Sequence, residues 1–358
     1  MTGIKPSVRV MIIEDSLVVR TLLAHIVGRD ARLEVAAVVA SAEEALAEIA
    51  RVKPDVISMD IRLPGMDGLE ATRRIMAEHP TPIVVIADAV EDAALGISMN
   101  ALRAGALSVV EKPVGLTTQS YDRIAQTICT QLFIMSSVPV IRRRSTGTGL
   151  SGAKPLARSG APSHDFDGLR YLALAASTGG PPALAKVLDA LPGDFPAPVF
   201  IVQHMGPAFM EGFAQWLDGF SKLDVRLATH GEIAQPGHAY VAPGDSHLIV
   251  RAGGVMFLTQ ADPVSSQRPS ATMLFGSLAG VAGPQTAAAL LTGMGEDGAA
   301  GLAELQAAGG YTIAEHASTA VVNGMPGAAV RLGAAREVLP LDLIGPRLVQ
   351  LADRAAKL

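Results

Sequence analysis

Aromatic side chains and cysteine are both scarce in this sequence. Aromatic residues make up 4% of the 358 residues, whereas hydrophobic residues reach 49%, so we expect aliphatic, alanine-rich cores. The single cysteine, Cys129, excludes an internal disulfide and is typical of proteins from a reducing cytoplasm. It falls in a predicted helix, where a small buried hydrophobic residue is expected rather than a reactive thiol.

Strong charge and long apolar runs are missing as well. The net charge of −5 argues against a nucleic-acid-binding surface over the whole molecule. No apolar run reaches the roughly 18 residues of a membrane span, and the first residues are too polar for a signal peptide. We therefore expect a soluble, cytoplasmic protein with no membrane insertion and no nucleic-acid partner.

The first third of the chain alternates strands and helices. The pattern predicts strands at 8–13, 33–39, 56–59, 83–87 and 107–110, and helices at 17–27, 42–52, 68–78, 92–103 and 118–135. Units of this length indicate a parallel sheet with helices on both faces, so that chemistry collects at the carboxyl ends of the strands.

The rest of the chain divides into a linker and a second α/β unit. Residues 136–166 have no periodicity and are rich in Gly, Ser, Pro and Arg, a composition typical of linkers. Strands are predicted near 171–176, 198–203, 247–258, 287–291 and 311–315. We therefore predict an α/β protein of two doubly wound parallel-sheet domains, flavodoxin-like at 7–135 and Rossmann-like at 167–355, joined by a flexible linker.

Acidic residues and one lysine follow strands of the first domain. Glu14 and Asp15 come after the first strand, Asp60 after the third and Lys112 after the fifth. Carboxylates that meet at one sheet edge repel one another unless a divalent cation binds, and hard oxygen ligands suit Mg²⁺. A lysine facing them can pair with a phosphoryl group. The alternative is a set of acidic loop tips at the surface.

Three chemically useful residues follow strands of the second domain. Ser177 opens the segment Ser-Thr-Gly-Gly-Pro-Pro at the start of a helix, where unpaired backbone amides can stabilise an oxyanion. His204 and Asp297 also stand at strand ends, so all three are expected on one rim. A serine nucleophile needs a general base, and the base needs a carboxylate to orient it.

Each of these residues also has a purely structural interpretation. Ser177 can simply turn the chain, and Asp297 can cap the helix that follows it. By position alone, His238, His247 and His316 compete with His204 for the role of base. The order Ser–His–Asp differs from those of chymotrypsin, subtilisin and the α/β-hydrolases, and no Gly-x-Ser-x-Gly turn is present. His-Glu-x-x-His and paired-cysteine patterns of metal hydrolases are also missing.

Residues 8–135 resemble a response-regulator receiver domain, chiefly through the segment from Met59-Asp60 to Asp67-Gly68 and through Lys112-Pro113. The resemblance implies that Asp60 accepts a phosphoryl group, that Glu14 and Asp15 join it in binding Mg²⁺, and that Lys112 contacts the phosphate. Two positions depart from the family. Ala87 stands where a Ser or Thr is usual, and Val109 replaces an aromatic residue. Asp88 also adds negative charge near the site.

Residues 167–355 resemble the catalytic domain of chemotaxis protein-glutamate methylesterases. The matching segments are Ala176-Ser-Thr-Gly-Gly180, Gln203-His-Met205, Pro236–Asp245, Arg268-Pro-Ser270, Leu291–Gly298 and Asn323–Pro326. The resemblance implies Ser177 as nucleophile, His204 as base and Asp297 as its orienting carboxylate. It also implies Thr178 and the backbone N–H of Met294 on the oxyanion side, and no cofactor for hydrolysis. Thr272 and the pair Glu315-His316 depart from the family pattern. These departures bear on substrate preference more than on catalysis.

Together the two resemblances predict a phosphorylation-controlled hydrolase of bacterial chemosensory adaptation. It would remove methyl esters from chemoreceptor glutamates, deamidate receptor glutamines and receive its phosphoryl group from a chemotaxis histidine kinase. The first domain would cover the Ser177 rim until Asp60 is phosphorylated. The alternatives are a two-domain signalling module with a vestigial hydrolase site, and a receiver-controlled hydrolase of small esters.

Overall fold

Two parallel β-sheets organise the chain in a computed structural model that describes residues 7–87, 100–102, 104–113, 118–138 and 168–355. The first sheet has five strands in the order β2-β1-β3-β4-β5, which is the flavodoxin-like order. Its strands are β1 (Val8–Ile13), β2 (Leu33–Val39), β3 (Val56–Met59), β4 (Ile83–Ala87) and β5 (Ser108–Glu111). Its described helices are α1 (Leu17–Gly28), α2 (Ala42–Val52), α3 (Gly68–Glu78) and α4 (Thr118–Met135).

Local sequence explains where these helices begin and why both faces of the sheet are covered. Side chains of Ser16, Ser41 and Asp67 each accept a hydrogen bond from the backbone amide three residues later, which caps α1, α2 and α3. Along β1, Met11 joins one buried cluster and Ile12 the cluster on the opposite face. Alternate side chains of an apolar strand therefore fill two layers of core.

The second sheet has seven strands in the order β14-β13-β12-β6-β7-β9-β8, and every described pairing in it is parallel. Its strands are β6 (Tyr171–Ala176), β7 (Val199–Gln203), β8 (Asp224–Leu227), β9 (His238–Val241), β12 (Thr286–Leu290), β13 (Tyr311–Glu315) and β14 (Glu337–Leu339). The helices around it are α5 (Gly180–Asp189), α6 (Met210–Asp218), α7 (Ala271–Ala282), α8 (Ala299–Ala307), α9 (Met325–Arg331) and α10 (Leu341–Ala355).

The central strand β6 lies at the point where the strand order reverses. The chain proceeds from β6 to β7 on one side, and later returns to β12 on the other side. In open α/β sheets the crevice at the carboxyl end of such a strand is the usual position of a functional site. Ser177 is the first residue after β6.

The predicted α/β class with two parallel sheets is confirmed, but one predicted strand is wrong. Residues 247–258 form a separate antiparallel hairpin of β10 (His247–Arg251) and β11 (Val255–Thr259). Gly253 and Gly254 have φ values of 78° and 80°, a conformation that favours glycine and reverses the chain. Strands β8, β9 and β14 were not predicted. Each has only three or four residues and begins with a polar or charged residue (Asp224, His238 and Glu337), so no continuous apolar run stands out as it does in β3.

Of the remaining predictions, the one for Cys129 is confirmed, and others fall on residues outside those described. Cys129 is buried in α4, and this burial raises the pKa of its thiol to about 11, as expected for a structural cysteine. Most of the predicted helix at 92–103, Asp88 and linker residues 139–166 lie outside the described residues. No helix within the described ranges combines the length and apolar character that a membrane crossing requires.

Candidate functional site

The sheet register brings Ser177 and His204 together. Ala176 and Gln203 are paired at the ends of β6 and β7, and the amide of His204 donates a 3.1 Å hydrogen bond to the carbonyl of Ala176. The next residue on each strand therefore leaves the sheet beside its neighbour. Ser177 and His204 line one cavity of about 440 Å³.

Asp297 lies behind His204 and is held by four donors. Its Oδ2 is 2.9 Å from Nε2 of His204, and both side chains are buried. It also accepts hydrogen bonds from Ser270 Oγ at 2.7 Å, from the amide of Ala271 at 2.7 Å and from the amide of Thr272 at 3.2 Å. These amides belong to the first turn of α7, where a carboxylate is favoured.

Hydrogen bonds and the charge interaction with His204 keep Asp297 ionised. Burial by itself raises the pKa of this carboxyl, but the hydrogen bond and electrostatic attraction of His204, together with the hydrogen bonds from Ser270 and Ala271, outweigh burial and lower the pKa to about 2. The side chain is therefore a carboxylate at neutral pH. It can keep a proton on Nε2 of His204, which leaves Nδ1 as the basic ring atom.

Backbone contacts fix Ser177, and one of its supports was not predicted. The amide of Ser177 donates to the carbonyl of Thr292 at 3.0 Å, while its own carbonyl accepts from Gln203 Nε2 at 2.8 Å. The same amide group of Gln203 donates to the carbonyl of His204 at 3.0 Å. Gln203 thus ties the two strand ends together. Apart from its place in the family segment Gln203-His-Met205, its signal in the sequence is a polar residue closing an otherwise apolar strand.

The turn after β12 approaches Ser177 closely. A Cβ on Gly293 would lie 2.8 Å from the Cβ of Ser177, so this position requires glycine. Thr292 Oγ1 donates to the carbonyl of Thr178 at 2.9 Å, which fixes the turn against the serine corner. In the described part of the chain no group accepts a hydrogen bond from the N–H of Met294, the next residue. That amide can donate to a ligand.

The competing histidines lie elsewhere. His247 is fully buried at the start of β10, His238 begins β9 and His316 contacts Ser318 in an exposed turn. None of the three lines the cavity that His204 shares with the serine.

In the first domain, the predicted acidic residues converge. Ligand oxygens of Glu14, Asp15 and Asp60 all lie within 4.8 Å of one another. Lys112 Nζ is 2.9 Å from Asp60 Oδ2 and 3.1 Å from Glu14 Oε2. Burial, followed by the charge of Asp60, raises the pKa of Glu14 to about 7 despite the opposing effect of Lys112. The donor set fits a hard divalent cation, because all three side chains offer carboxylate oxygens.

The two departures from the receiver pattern occupy different places. Ala87 ends β4 beside this acidic site, where its carbonyl accepts from the amide of Lys112 at 3.0 Å and its methyl group offers no hydroxyl. Val109 on β5 lines the cavity that contains Ser177.

The first domain covers the serine rim. Gln131 on α4 donates from Nε2 to Thr178 Oγ1 at 3.3 Å. The shared cavity is lined on one side by β5 and α4, and on the other by the loops after β6 and β7, with Arg268 also contributing. The hydroxyl of the predicted oxyanion-side residue is therefore engaged by the first domain in this arrangement.

Comparison with known proteins agrees with both parts of this architecture. Residues 10–119 match the family model of the response regulator receiver domain, and residues 172–348 match that of the CheB methylesterase. The sequence is 50% identical to "Protein-glutamate methylesterase/protein-glutamine glutaminase 2" of Paramagnetospirillum magneticum, over 97% of this chain and 98% of the relative. The chain belongs to the protein-glutamate methylesterase/protein-glutamine glutaminase family.

One further member of this family and a solved structure support the same assignment. "Protein-glutamate methylesterase/protein-glutamine glutaminase 1" of Syntrophus aciditrophicus is 44% identical over 98% of this chain and 99% of the relative. The crystal structure of the CheB methylesterase catalytic domain of Thermotoga maritima matches with 39% identity and a TM-score of 0.50. That match covers 51% of this chain and 98% of the other, as expected for a catalytic domain alone.

Proposed function

We propose that this protein hydrolyses methyl esters of chemoreceptor glutamates, deamidates receptor glutamines, and is controlled by phosphorylation of its first domain. Membership of the family and near-full-length identity to methylesterase/glutaminases support the activity. The observation that carries the assignment of residues is the 2.9 Å contact between His204 and a buried carboxylate, at the strand end beside Ser177.

In the proposed reaction, Ser177 Oγ attacks the ester carbonyl while Nδ1 of His204 takes the hydroxyl proton. The proton passes to the departing methoxide, so that methanol leaves and an acyl-enzyme remains. Water then attacks the acyl group with the same base, which releases glutamate and restores the serine. On a glutamine amide the same steps release ammonia. Asp297 stabilises the charged imidazole that forms in each step.

The developing oxyanion needs donors on the other side of the carbonyl. We assign this role to Thr178 and to the N–H of Met294, because the turn that carries Met294 is joined to Ser177 and Thr178 by the hydrogen bonds of Thr292. In the covered arrangement Gln131 Nε2 donates to Thr178 Oγ1, which leaves the hydroxyl proton of Thr178 able to donate but holds the side chain of Gln131 against this residue. Uncovering would remove that side chain.

We infer that residues 7–135 form the regulatory domain, residues 136–166 the linker and residues 167–355 the catalytic domain. Asp60 would accept a phosphoryl group from a histidine kinase, with Lys112 neutralising its charge. Glu14, Asp15 and Asp60 would hold Mg²⁺, which when bound screens the carboxylates and the phosphoryl oxygens from one another.

Turnover of receptor-containing membranes tests the proposed substrate. Wild-type protein should release labelled methanol from methyl-labelled chemoreceptors, and Ser177→Ala should not. Release from small methyl esters, with none from receptors, would identify a small-ester hydrolase instead. No release from either substrate by the phosphorylated protein would identify a signalling module whose hydrolase site is vestigial.

The contact between the domains gives a prediction about resting activity. Gln131→Leu should raise the unphosphorylated rate about two- to tenfold, because a neutral hydrogen bond contributes about 0.5–1.5 kcal/mol to the covered state. Initial rates of methanol release measure this effect. Gln126→Leu is the matched control, since Gln126 is an exposed residue of the same helix and does not line the cavity. Equal rates in the two variants would mean that the contact does not hold the domains together.

The missing hydroxyl at the end of β4 gives a second prediction. Ala87 cannot donate to a phosphoryl group on Asp60, whereas a hydrogen bond to a charged group is typically worth about 1.5–3 kcal/mol. Ala87→Thr should therefore raise the ratio of phosphorylated to resting activity by about tenfold or more. Methanol release with and without a small-molecule phosphodonor measures this ratio, with phosphorylation quantified separately. An unchanged ratio at full phosphorylation would show that coupling does not depend on this hydroxyl.

A further inference from the structure

We propose that His247 is a positioning residue of the hydrolase, which orients Asp297 through Ser270. The inference rests on the catalytic roles proposed above for Ser177, His204 and Asp297. It assigns no proton-transfer step to His247, whose imidazole lies outside the cavity and behind the carboxylate.

Both ring nitrogens of His247 have defined partners. The amide of Ser270 donates to Nδ1 at 3.2 Å, and Nε2 lies 3.1 Å from the carbonyl oxygen of Asp262. Since a backbone amide can only donate and a carbonyl can only accept, Nδ1 is unprotonated and Nε2 carries the proton. The side chain is fully buried, so one tautomer and one ring orientation are imposed on it.

Ser270 passes this constraint to Asp297. Its hydroxyl donates to Oδ1 of Asp297 at 2.7 Å and accepts from the amide of Met273, which caps α7. The next amide, that of Ala271, donates to Oδ2 at 2.7 Å. By holding the backbone of Ser270, the imidazole of His247 fixes two of the four donors that aim the carboxylate at His204.

The alternative is that His247 only fills space in the core, and two amide substitutions distinguish these roles. Asn places its carbonyl oxygen near the position of Nδ1 and can still accept from Ser270. Gln places its amide nitrogen near the position of Nε2, so it keeps the contact with Asp262 but leaves the amide of Ser270 without an acceptor. Both replace a buried ring with a polar chain, so a role limited to packing predicts no advantage for Asn.

The experiment compares His247→Asn, His247→Gln and wild type in the full-length protein. His238→Gln is a control for the same exchange at a partly exposed histidine outside the cavity. We expect His247→Gln to lower kcat for methanol release about tenfold with KM unchanged, because a hydrogen bond that orients a charged group is lost. His247→Asn should stay within about threefold of wild type. The rate at which a fluorophosphonate labels Ser177 should likewise fall more in His247→Gln than in His247→Asn.

Equal losses in the Asn and Gln variants, or no loss in either, would overturn the proposal. A third measurement needs no variant. In wild-type protein with ¹⁵N-labelled histidine, His247 should show a protonated Nε2 and an unprotonated Nδ1. The opposite tautomer would also refute the proposal. Ser177→Ala and His204→Ala distinguish failure of the His247 proposal from failure of the proposed function. Retained activity in those two variants would show that Ser177 and His204 are not the nucleophile and the base.

Discussion

Ser177→Ala and His204→Ala should each lower methanol release from methylated receptors by a factor on the order of 10⁶, because nucleophile and base act as one unit. Ser177 carries the bond-forming oxygen, and the neighbouring hydroxyl of Thr178 accepts from Gln131 and is assigned to the oxyanion side. His204 is the histidine beside it, with its Nε2 committed to Asp297. The measurement is the rate of methanol release from methyl-labelled receptor membranes with the enzyme in saturating excess.

The double variant sharpens this test. Because each single change already disables the same step, Ser177→Ala combined with His204→Ala should be no slower than either alone. His316→Ala is the control, since His316 is a half-buried histidine that does not line the cavity. Near-normal turnover by His204→Ala would contradict the assignment and return His316 and His247 to consideration as the base.

The sequence predicts the position of the site better than its supporting contacts. Strand ends can be located from apolar runs, and parallel strands share a carboxyl edge, so Ser177, His204 and Asp297 can be expected on one rim. Which histidine is the base depends on sheet order. The pairing of Ala176 with Gln203 brings His204 beside the serine, whereas His247 begins a hairpin strand outside the parallel sheet.

Supporting residues are harder to predict because they act through side-chain to backbone hydrogen bonds. Gln203 bridges two carbonyls that are distant in sequence, and Ser270 reaches Asp297 across 27 positions. Such contacts leave no periodic pattern in the sequence. The position of Val109 is also hard to predict. Comparison with receiver domains shows only that Val109 replaces an aromatic residue, whereas the fold places it at the cavity between the domains.

Asp297→Asn should lower turnover by a factor on the order of 10³–10⁴, comparable to the loss seen when a serine-hydrolase triad loses its carboxylate. The amide is neutral, so it does not stabilise the imidazolium that His204 becomes. Asn keeps one oxygen, but its NH₂ group replaces the other. That group faces donors in either orientation: Ser270 Oγ and the amide of Thr272 at Oδ1, or His204 Nε2 and the amide of Ala271 at Oδ2. Turnover of methylated membranes measures the loss. Asp189→Asn, which removes the same charge at the exposed end of α5, should leave turnover unchanged.

The same substitution should change the pH dependence of stability. The pKa of Asp297 is lowered from 3.8 to about 2 in the folded protein, so its carboxylate stabilises the fold fully above the unfolded value. That contribution, about 2 kcal/mol, is lost as the pH falls from about 4 through 2. The difference in unfolding free energy between wild type and Asp297→Asn should therefore be largest near neutral pH and shrink below pH 4. Denaturant titrations at pH 7 and pH 3 measure it, and a difference that grows on acidification would show that the contacts of Asp297 in the folded protein do not keep this carboxyl ionised.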